Sequence, residues 1–383
     1  MKLMHLSDLH LGKRIYEAGF IEEQEYILEE IKIIIQKEAV NGILIAGDIY
    51  DKAVPPVEAI RLFDAFLTFC AGLKLPVCII SGNHDSAERI SFASGVLDKQ
   101  GIYFSPVYDG NVRCVTLNDR YGEVCVHMLP FLKPAHVKHV YPEAEIENYE
   151  QAMRTVLEHM EVDFEKRNVL MLHQLVAGAA TCESEDLLIG GLEQIPASLF
   201  DGFDYVALGH LHGPQRIGRE TVRYCGTPLK YSFSEAAHQK SVTIVELAEK
   251  GSVLVRTVPL VPLHDMRCIK GSYMELTSRE TYLGTAVEDY LQITLTDEED
   301  IPDAIGRLRA VYPNVLKLTY DNTRTRTHAM VSEVPAEQAD KRTPLAFLEE
   351  LYRLQNHQEM SDEQRRYSGA LFEKIWEESD EAR

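Results

Sequence analysis

Eight polar side chains recur at one kind of position along this chain, just past a short apolar run. Ser7-Asp8-Leu9-His10 follows Lys2–Leu6, Gly47-Asp48-Ile49-Tyr50-Asp51 follows Ile43–Ala46, and Gly82-Asn83-His84-Asp85 follows Val77–Ile80. His173 closes Val169–Leu172, and Gly209-His210-Leu211-His212 follows Tyr205–Leu208. Asp8, His10, Asp48, Asn83, His173, His210 and His212 form a mixed oxygen and imidazole set, which suits Mn²⁺, Fe²⁺ or Zn²⁺ better than Ca²⁺. No cysteine joins the set, which argues against a structural thiolate zinc site. Seven donors exceed one tetrahedral ion and suit two, with Asp48 assigned as the bridging carboxylate. Asp8-x-His10 and His210-x-His212 are each expected to project two ligands from one extended segment, where i and i+2 share a face. Gly47, Gly82 and Gly209 are expected to let the backbone turn sharply beside the ligands.

Two ions about 3.5–4 Å apart can clamp a phosphodiester and activate a water between them. His84, beside Asn83, is placed outside the ligand set as the catalytic group that protonates or stabilises the leaving oxygen. Asp85 is expected to support the turn, with orienting His84 or capping the next helix as alternatives. Taken singly, a DxH, a GD or an HxH is an ordinary surface turn, and a lone histidine is ordinary core. All five elements in this order, each at a strand end, point to a two-metal site. His136 and His139 have helical i, i+3 spacing but sit among Lys133, Pro134 and Lys138, and read as a solvated helix edge.

The elements that must position these groups are short. Strands are expected at Lys2–Leu6, Ile43–Ala46, Val77–Ile80, Val124–Leu129, Val169–Leu172, Tyr205–Leu208, Val222–Tyr224 and Val242–Leu247, rich in Val, Ile and Leu as in strands covered on both faces. Helices are expected at Phe20–Lys37, Val57–Cys70 and Glu147–Val162. This alternation predicts an α/β sandwich, whose strand carboxyl ends are where ligands bind. After Pro262, strand-like Tyr290–Leu295, helix-like Pro302–Val311 and strand-like Val315–Tyr320 predict a small second α/β unit. Thr343-Pro344, an N-cap with Pro at N1, then opens a helix carrying Leu345, Leu348, Leu351 and Tyr352. Ser361 with Gln364 forms a capping box for another, carrying Tyr367, Leu371, Phe372, Ile375 and Trp376.

Composition constrains the partners. The 383 residues suffice for two or three domains, and 45% hydrophobic content is ordinary for globular chains. The apolar runs are strand-sized, too short to span a bilayer. Polar residues interrupt the first ten positions, against a signal peptide. Seven scattered cysteines without a CxxC read as reduced, mostly buried thiols in a cytoplasmic protein. A net charge of −21 is poor for gripping nucleic acid by bulk electrostatics, so a polyanionic substrate needs bound cations or a partner.

Together Asp8-x-His10, Gly47-Asp48-x-x-Asp51, Gly82-Asn83-His84-Asp85, His173 and Gly209-His210-x-His212 resemble the calcineurin-like metallophosphoesterase signature. The stretches HLSDLHLGK (His5–Lys13), GDIYDKAVPP (Gly47–Pro56), GNHDSAERI (Gly82–Ile90), YVALGHLHGPQ (Tyr205–Gln215) and YCGTPLKYSFSEAAHQKSVTIVE (Tyr224–Glu246) resemble the SbcD family within it, the nuclease subunits of bacterial SbcCD complexes. The resemblance implies a metallophosphoesterase sandwich of two sheets flanked by helices over residues 1–262, a capping α/β domain over 263–335 and helices over 340–383 that dock on an SbcC-type ATPase. It implies one ion on Asp8, His10, Asp48 and His212 and another on Asp48, Asn83, His173 and His210, both of them Mn²⁺. It also implies cutting of DNA ends with ATP, cleavage of single strands and hairpins, a role in DNA repair, recombination and replication, and two copies of each subunit. Archaeal and eukaryotic counterparts carry a histidine where this chain has Asp51, which is therefore kept out of the catalytic set. Lys13, Arg14 and Arg89, each next to a motif, are the candidates for DNA contact. Two other readings are a phosphatase or phosphodiesterase acting on small phosphoesters or phosphoproteins and a scaffold without chemistry. The full ligand set speaks against the scaffold.

Overall fold

Val169-Leu170-Met171-Leu172 shows why the central strands are continuously apolar. Val169 and Met171 face one layer of the molecule, Leu170 and Leu172 the other, and all four are fully buried. A strand buried on both faces has no position left for a polar side chain until it ends. The computed structural model describes residues 1–183, 185, 194–326, 345, 348–349, 351–353 and 359–380. They fall into two units, Met1–Arg267 and Cys268–Arg383.

The first unit begins with strands β1 (Lys2–Leu6), β2 (Gly42–Ala46), β3 (Val77–Ile80) and β4 (Ile102–Phe104), all parallel neighbours. The next six are β5 (Arg113–Asp119), β6 (Gly122–Met128), β7 (Arg167–His173), β8 (Tyr205–Gly209), β9 (Gln215–Ile217) and β10 (Arg219–Tyr224). They form a second sheet in the order β9-β10-β8-β7-β6-β5. The chain then returns to the first sheet with β11 (Ser241–Leu247) and β12 (Val253–Pro259), which add antiparallel strands to give β12-β11-β1-β2-β3-β4. The sheets face each other. Leu3, Leu44 and Ile80 of one meet Val126, Met171 and Ala207 of the other in a single apolar layer. Each such side chain contributes about 1.5–3 kcal/mol on burial.

Helix α1 (Ile21–Glu38) follows β1 and buries Ile27, Leu28, Ile31, Ile34 and Ile35, a stripe at helical spacing. Helix α2 (Val57–Gly72) connects β2 to β3. Helices α3 (Pro134–Val140) and α4 (Tyr149–Glu158) cover the second sheet, where Val137, Met153 and Val156 pack with Leu170, Leu172 and Leu208. Helix α4 is shorter than the expected Glu147–Val162. Asn148 caps it by accepting a hydrogen bond from Gln151 N at 2.9 Å, which sets its start two residues later. The sequence reading also passes over β4, β5, β9 and β12. Along β12 every position is half-buried or exposed, so it lacks the buried apolar run of the central strands.

The second unit holds a three-stranded sheet of β13 (Met266–Gly271), β14 (Tyr290–Leu295) and β15 (Val315–Tyr320). Strands β14 and β15 are parallel and are joined through α5 (Ala304–Arg309). Leu276, Leu291, Ile293, Leu295, Leu308 and Val315 form its core. Helix α6 (Asp362–Asp380) opens on the expected capping box, with Gln364 N donating to Ser361 Oγ (3.2 Å) and Ser361 N to Gln364 Oε1 (2.9 Å). Tyr367 and Leu371 on it are exposed. The Thr343-Pro344 helix start and the side chains of Ile375 and Trp376 lie outside the described residues. No helix among the described residues is long and apolar enough to cross a membrane.

Candidate metal centre

The loops after β1, β2 and β8 do not run extended. Asp8 (φ 52°), His10 (φ 43°), Asp48 (φ 50°) and His210 (φ 104°) all have positive φ, so sharing a face at i and i+2 is not what brings Asp8 and His10 together. Such conformations cost of order 1–3 kcal/mol each and persist only where the surroundings over-determine them. Here the β1 and β2 loops are stitched to each other by Asp8 N to Gly47 O (3.0 Å), His10 N to Asp48 O (3.0 Å) and Leu11 N to Ile49 O (2.9 Å). Buried Gln24 on α1 donates from Nε2 to His10 O (2.7 Å) and to Tyr231 Oη (3.0 Å), and Tyr231 Oη donates to Leu9 O (2.6 Å). Of the three glycines read as turn points, only Gly47 has a left-handed backbone (φ 89°). Gly82 and Gly209 instead permit close approach, since a Cβ on them would stand 2.0 Å from Asp48 Oδ1 and 1.8 Å from Ala46 O.

These loops converge at the carboxyl ends of the parallel strands. Asp48 is central: its Oδ2 lies 3.4 Å from His173 Nε2, 3.7 Å from His10 Nε2 and 3.9 Å from His84 Nε2. Its Oδ1 accepts His84 N at 2.9 Å. Asp8 accepts His210 N on both carboxylate oxygens (3.1 Å each), which ties β1 to β8 across the two sheets. Asn83 Oδ1 is 3.0 Å from both His173 Nε2 and His210 Nδ1. His173 donates from Nδ1 to Ala46 O (2.8 Å), so Nε2 is the nitrogen turned to the centre. Ligand atoms of Asp8, His10 and His212 lie within 4.8 Å of one another, as do those of Asp8, Asp48 and His173.

A divalent cation fits this set. His10 is 1% exposed, yet among the described residues neither ring nitrogen has a hydrogen-bond partner, an arrangement that costs free energy unless something else takes the lone pair. The local charges agree. Burial holds His10 well below its usual pKa and His210 down at about 3, so both imidazoles are neutral donors. Burial, opposed by His173 and reinforced by Asp48, pushes Asp8 up to about 6. Burial works against the Asp48 charge too, but His173 and His10 keep it ionised far below the usual carboxylate range. His173 in turn, despite burial, is pushed up to about 9 by Asp48 and Asp8. A neighbourhood that draws positive charge onto a fully buried imidazole would draw a metal cation as well.

Around this centre lies a network that the motif spacing does not predict. His212 Nδ1 is 3.2 Å from Glu235 Oε1, and Glu235 is fully buried with Lys240 Nζ 2.5 Å from its Oε2. Lys240 Nζ also donates to His212 O (2.9 Å) and Thr227 Oγ1 (2.6 Å). Burial works against the Glu235 charge, but His212 and Lys240 keep it ionised well below its usual range. A carboxylate behind a histidine fixes its tautomer and raises its basicity toward a metal. The available signal was the stretch Tyr224–Glu246, whose residues carry no ligand spacing of their own.

His84 sits at the rim, its side chain 21% exposed, with Nδ1 donating to Asp51 O at 3.0 Å and Nε2 toward Asp48. Asp85 is a loop clamp. It accepts Gly82 N (3.0 Å), Ile49 N (3.1 Å) and Tyr50 N (3.1 Å), joining the β2 and β3 loops. Ser86, whose side chain makes no capping bond, occupies the N-cap of the short helix Ala87–Ile90, so Asp85 does not cap it. Burial and the Asp48 charge raise Asp85 to about 6. Among the DNA-contact candidates, Lys13 Nζ is paired with Asp51 Oδ1 at 2.7 Å. Arg14 is exposed and donates to Glu17 O (2.6 Å), and Arg89 is exposed on the short helix.

The family described as calcineurin-like phosphoesterase matches residues 1–214, and the type 5 capsule protein repressor C-terminal domain matches residues 262–356. A Staphylococcus epidermidis protein, named as the D subunit of nuclease SbcCD, is 33% identical over 341 residues, 87% of this chain and 90% of that protein. A Staphylococcus saprophyticus protein of the same name is 31% identical over 347 residues, 90% of this chain and 91% of that one. Among solved structures, a dimetal phosphatase from Danio rerio aligns with 68% of this chain and 98% of its own at 10% identity, with a TM-score of 0.40.

Proposed function

This chain belongs to the calcineurin-like phosphoesterase family, in its SbcD nuclease branch, and from that premise we propose that it is the nuclease subunit of an SbcCD-type complex, hydrolysing DNA phosphodiester bonds. The observation that carries this reading is the gathering of seven oxygen and imidazole donors, Asp48 among them, at one sheet edge, with His84 Nε2 3.9 Å from Asp48 Oδ2. Asp8, His10, Asp48 and His212 would hold one divalent ion and Asp48, Asn83, His173 and His210 the other. Mn²⁺ is the ion proposed, consistent with the mixed donors. Bound there, the ions supply charge neutralisation of the phosphodiester and acidify a water for in-line attack.

The chain's own groups do the rest. The bond from His84 Nδ1 to Asp51 O fixes the ring so that Nε2, when protonated, gives its proton to the leaving oxygen. Partial exposure of His84 lets solvent restore that proton. Glu235 keeps the His212 ring in one orientation, and Lys240 neutralises the Glu235 charge. Lys13 balances Asp51 beside the approach to the centre.

The net charge of −21 fits a subunit that does not hold DNA alone. An SbcC-type ATPase, docked on the C-terminal helices in a complex with two copies of each subunit, would supply basic surface. The cytoplasm is the compartment proposed. The test is cleavage of hairpin and linear duplex DNA by the purified chain with Mn²⁺, beside His84→Ala, with and without such an ATPase and ATP. Cleavage that disappears in the variant and extends to duplex ends with ATPase and ATP is the expected result. Silence on DNA with robust hydrolysis of a small phosphodiester would remove DNA as the substrate.

A further inference from the structure

His136 and His139, set aside in the sequence as a solvated helix edge, are exposed on α3 as that reading expects. They also border a cavity of about 500 Å³ whose wall includes Asn83. That volume lies within the ~300–1,000 Å³ range of ligand sites. The cavity therefore reaches the centre at Asn83, whose Oδ1 lies 3.0 Å from His173 Nε2 and His210 Nδ1. Its aromatic wall is Phe131, half-buried and stacked on His210 with ring centroids 6.5 Å apart and planes 28° apart. Phe131 is held in place by its backbone N–H, which donates to Ser81 O at the end of β3 (2.9 Å). Val107, an exposed apolar side chain, also lines the cavity. Its outer edge carries the Lys133 ammonium with the imidazoles of His136 and His139. His136 Nδ1 accepts Lys133 N (3.4 Å), so its outer Nε2 carries the proton and donates. Glu88 also borders the space, with its carboxylate held by Ser86 Oγ (2.9 Å).

An aromatic and apolar wall against the metal centre, with positive and donor groups further out, matches one unit of a polynucleotide. The base and sugar need a flat apolar surface, and the next phosphate needs cations. We propose that this cavity is the subsite for the nucleotide flanking the scissile phosphate. Phe131 receives its base–sugar unit, and Lys133, His136 and His139 contact the next phosphate. A small phosphodiester has no such flanking unit and leaves the subsite empty. The proposal rests on the nuclease reading above.

The test compares wild type with Lys133→Ala/His136→Ala/His139→Ala in the full chain with Mn²⁺. KM and kcat are measured on a fluorescent single-stranded oligothymidylate and on bis(p-nitrophenyl) phosphate. The triple variant is expected to raise the oligonucleotide KM about tenfold and to flatten its salt dependence by roughly 0.7 for the lost Lys133 charge. Hydrolysis of the small diester is expected to stay unchanged. Unchanged oligonucleotide KM and salt slope, or equal losses on both substrates, would overturn the subsite while leaving the nuclease reading standing. A wild-type chain that hydrolyses the small diester and no oligonucleotide would overturn both. Lys133→Ala alone, at an exposed position, provides the same comparison should the triple variant fold poorly.

Discussion

The two sheets bring different chemistry to the same edge. The first sheet supplies every oxygen donor, Asp8, Asp48 and Asn83, together with His10, and three of these four have left-handed backbones. The second supplies imidazoles only, His173, His210 and His212. The first layer therefore carries the negative charge and most of the backbone strain, and the second carries imidazoles alone, with His173 pushed up to about 9 and His210 held down at about 3. Neither layer holds a complete ligand set. The centre exists only where the sheets pack, so metal binding and the packing of the two layers are thermodynamically linked.

Asp48→Ala should break this division most severely, because Asp48 lies between donors of both layers. Loss of detectable phosphodiester hydrolysis and of one or both ions in a calorimetric Mn²⁺ titration is expected, and retention of two tight sites would refute the bridging role. Gly209→Ala tests the approach of the layers themselves. A methyl group 1.8 Å from Ala46 O must push the sheets apart at the centre, with about 1–3 kcal/mol of stability lost to overpacking and weakened metal binding. Thermal unfolding with and without Mn²⁺ measures both effects. Glu235→Gln sharpens the account of the second layer, since it removes only the charge behind His212. About a 10–100-fold loss of metal affinity is expected, recovered by raising Mn²⁺ in the assay, whereas a fold defect would not be recovered that way. Gln24→Ala perturbs only the support of the first layer's strained loop. It should cost about 1–3 kcal/mol in denaturant unfolding, as Gly12 N loses its side-chain acceptor and His10 O keeps only its bond from Lys13 N.

Much of this arrangement is legible along the chain, for a physical reason. Strands such as β2 and β7 are buried on both faces, so their apolar runs are continuous and the first polar residue past each run marks the sheet edge. Asp48 and His173 stand out on that ground alone. Edge strands such as β12 lack that signal and are missed. Asp51 shows a different blind spot. Its residue type places it outside the catalytic set, yet its carbonyl oxygen, which every residue possesses, is what orients His84. Glu235 and Lys240 form an ion pair five residues apart, a pattern common on solvated surfaces, and only burial distinguishes them.

What can be read from residue order is the chemistry available: which donors exist, that they follow strand ends, and that oxygen and nitrogen ligands outnumber the needs of one ion. Period-two and period-3.6 patterns are local, so they survive in a one-dimensional record. Left-handed backbones at Asp8, His10 and Asp48 come instead from bonds between loops far apart in sequence. So do the turn of His212 toward Glu235 and the space beside Phe131, which only packed layers can create. Those contacts join residues up to 222 positions apart, as in the Tyr231–Leu9 bond, and no local pattern records them.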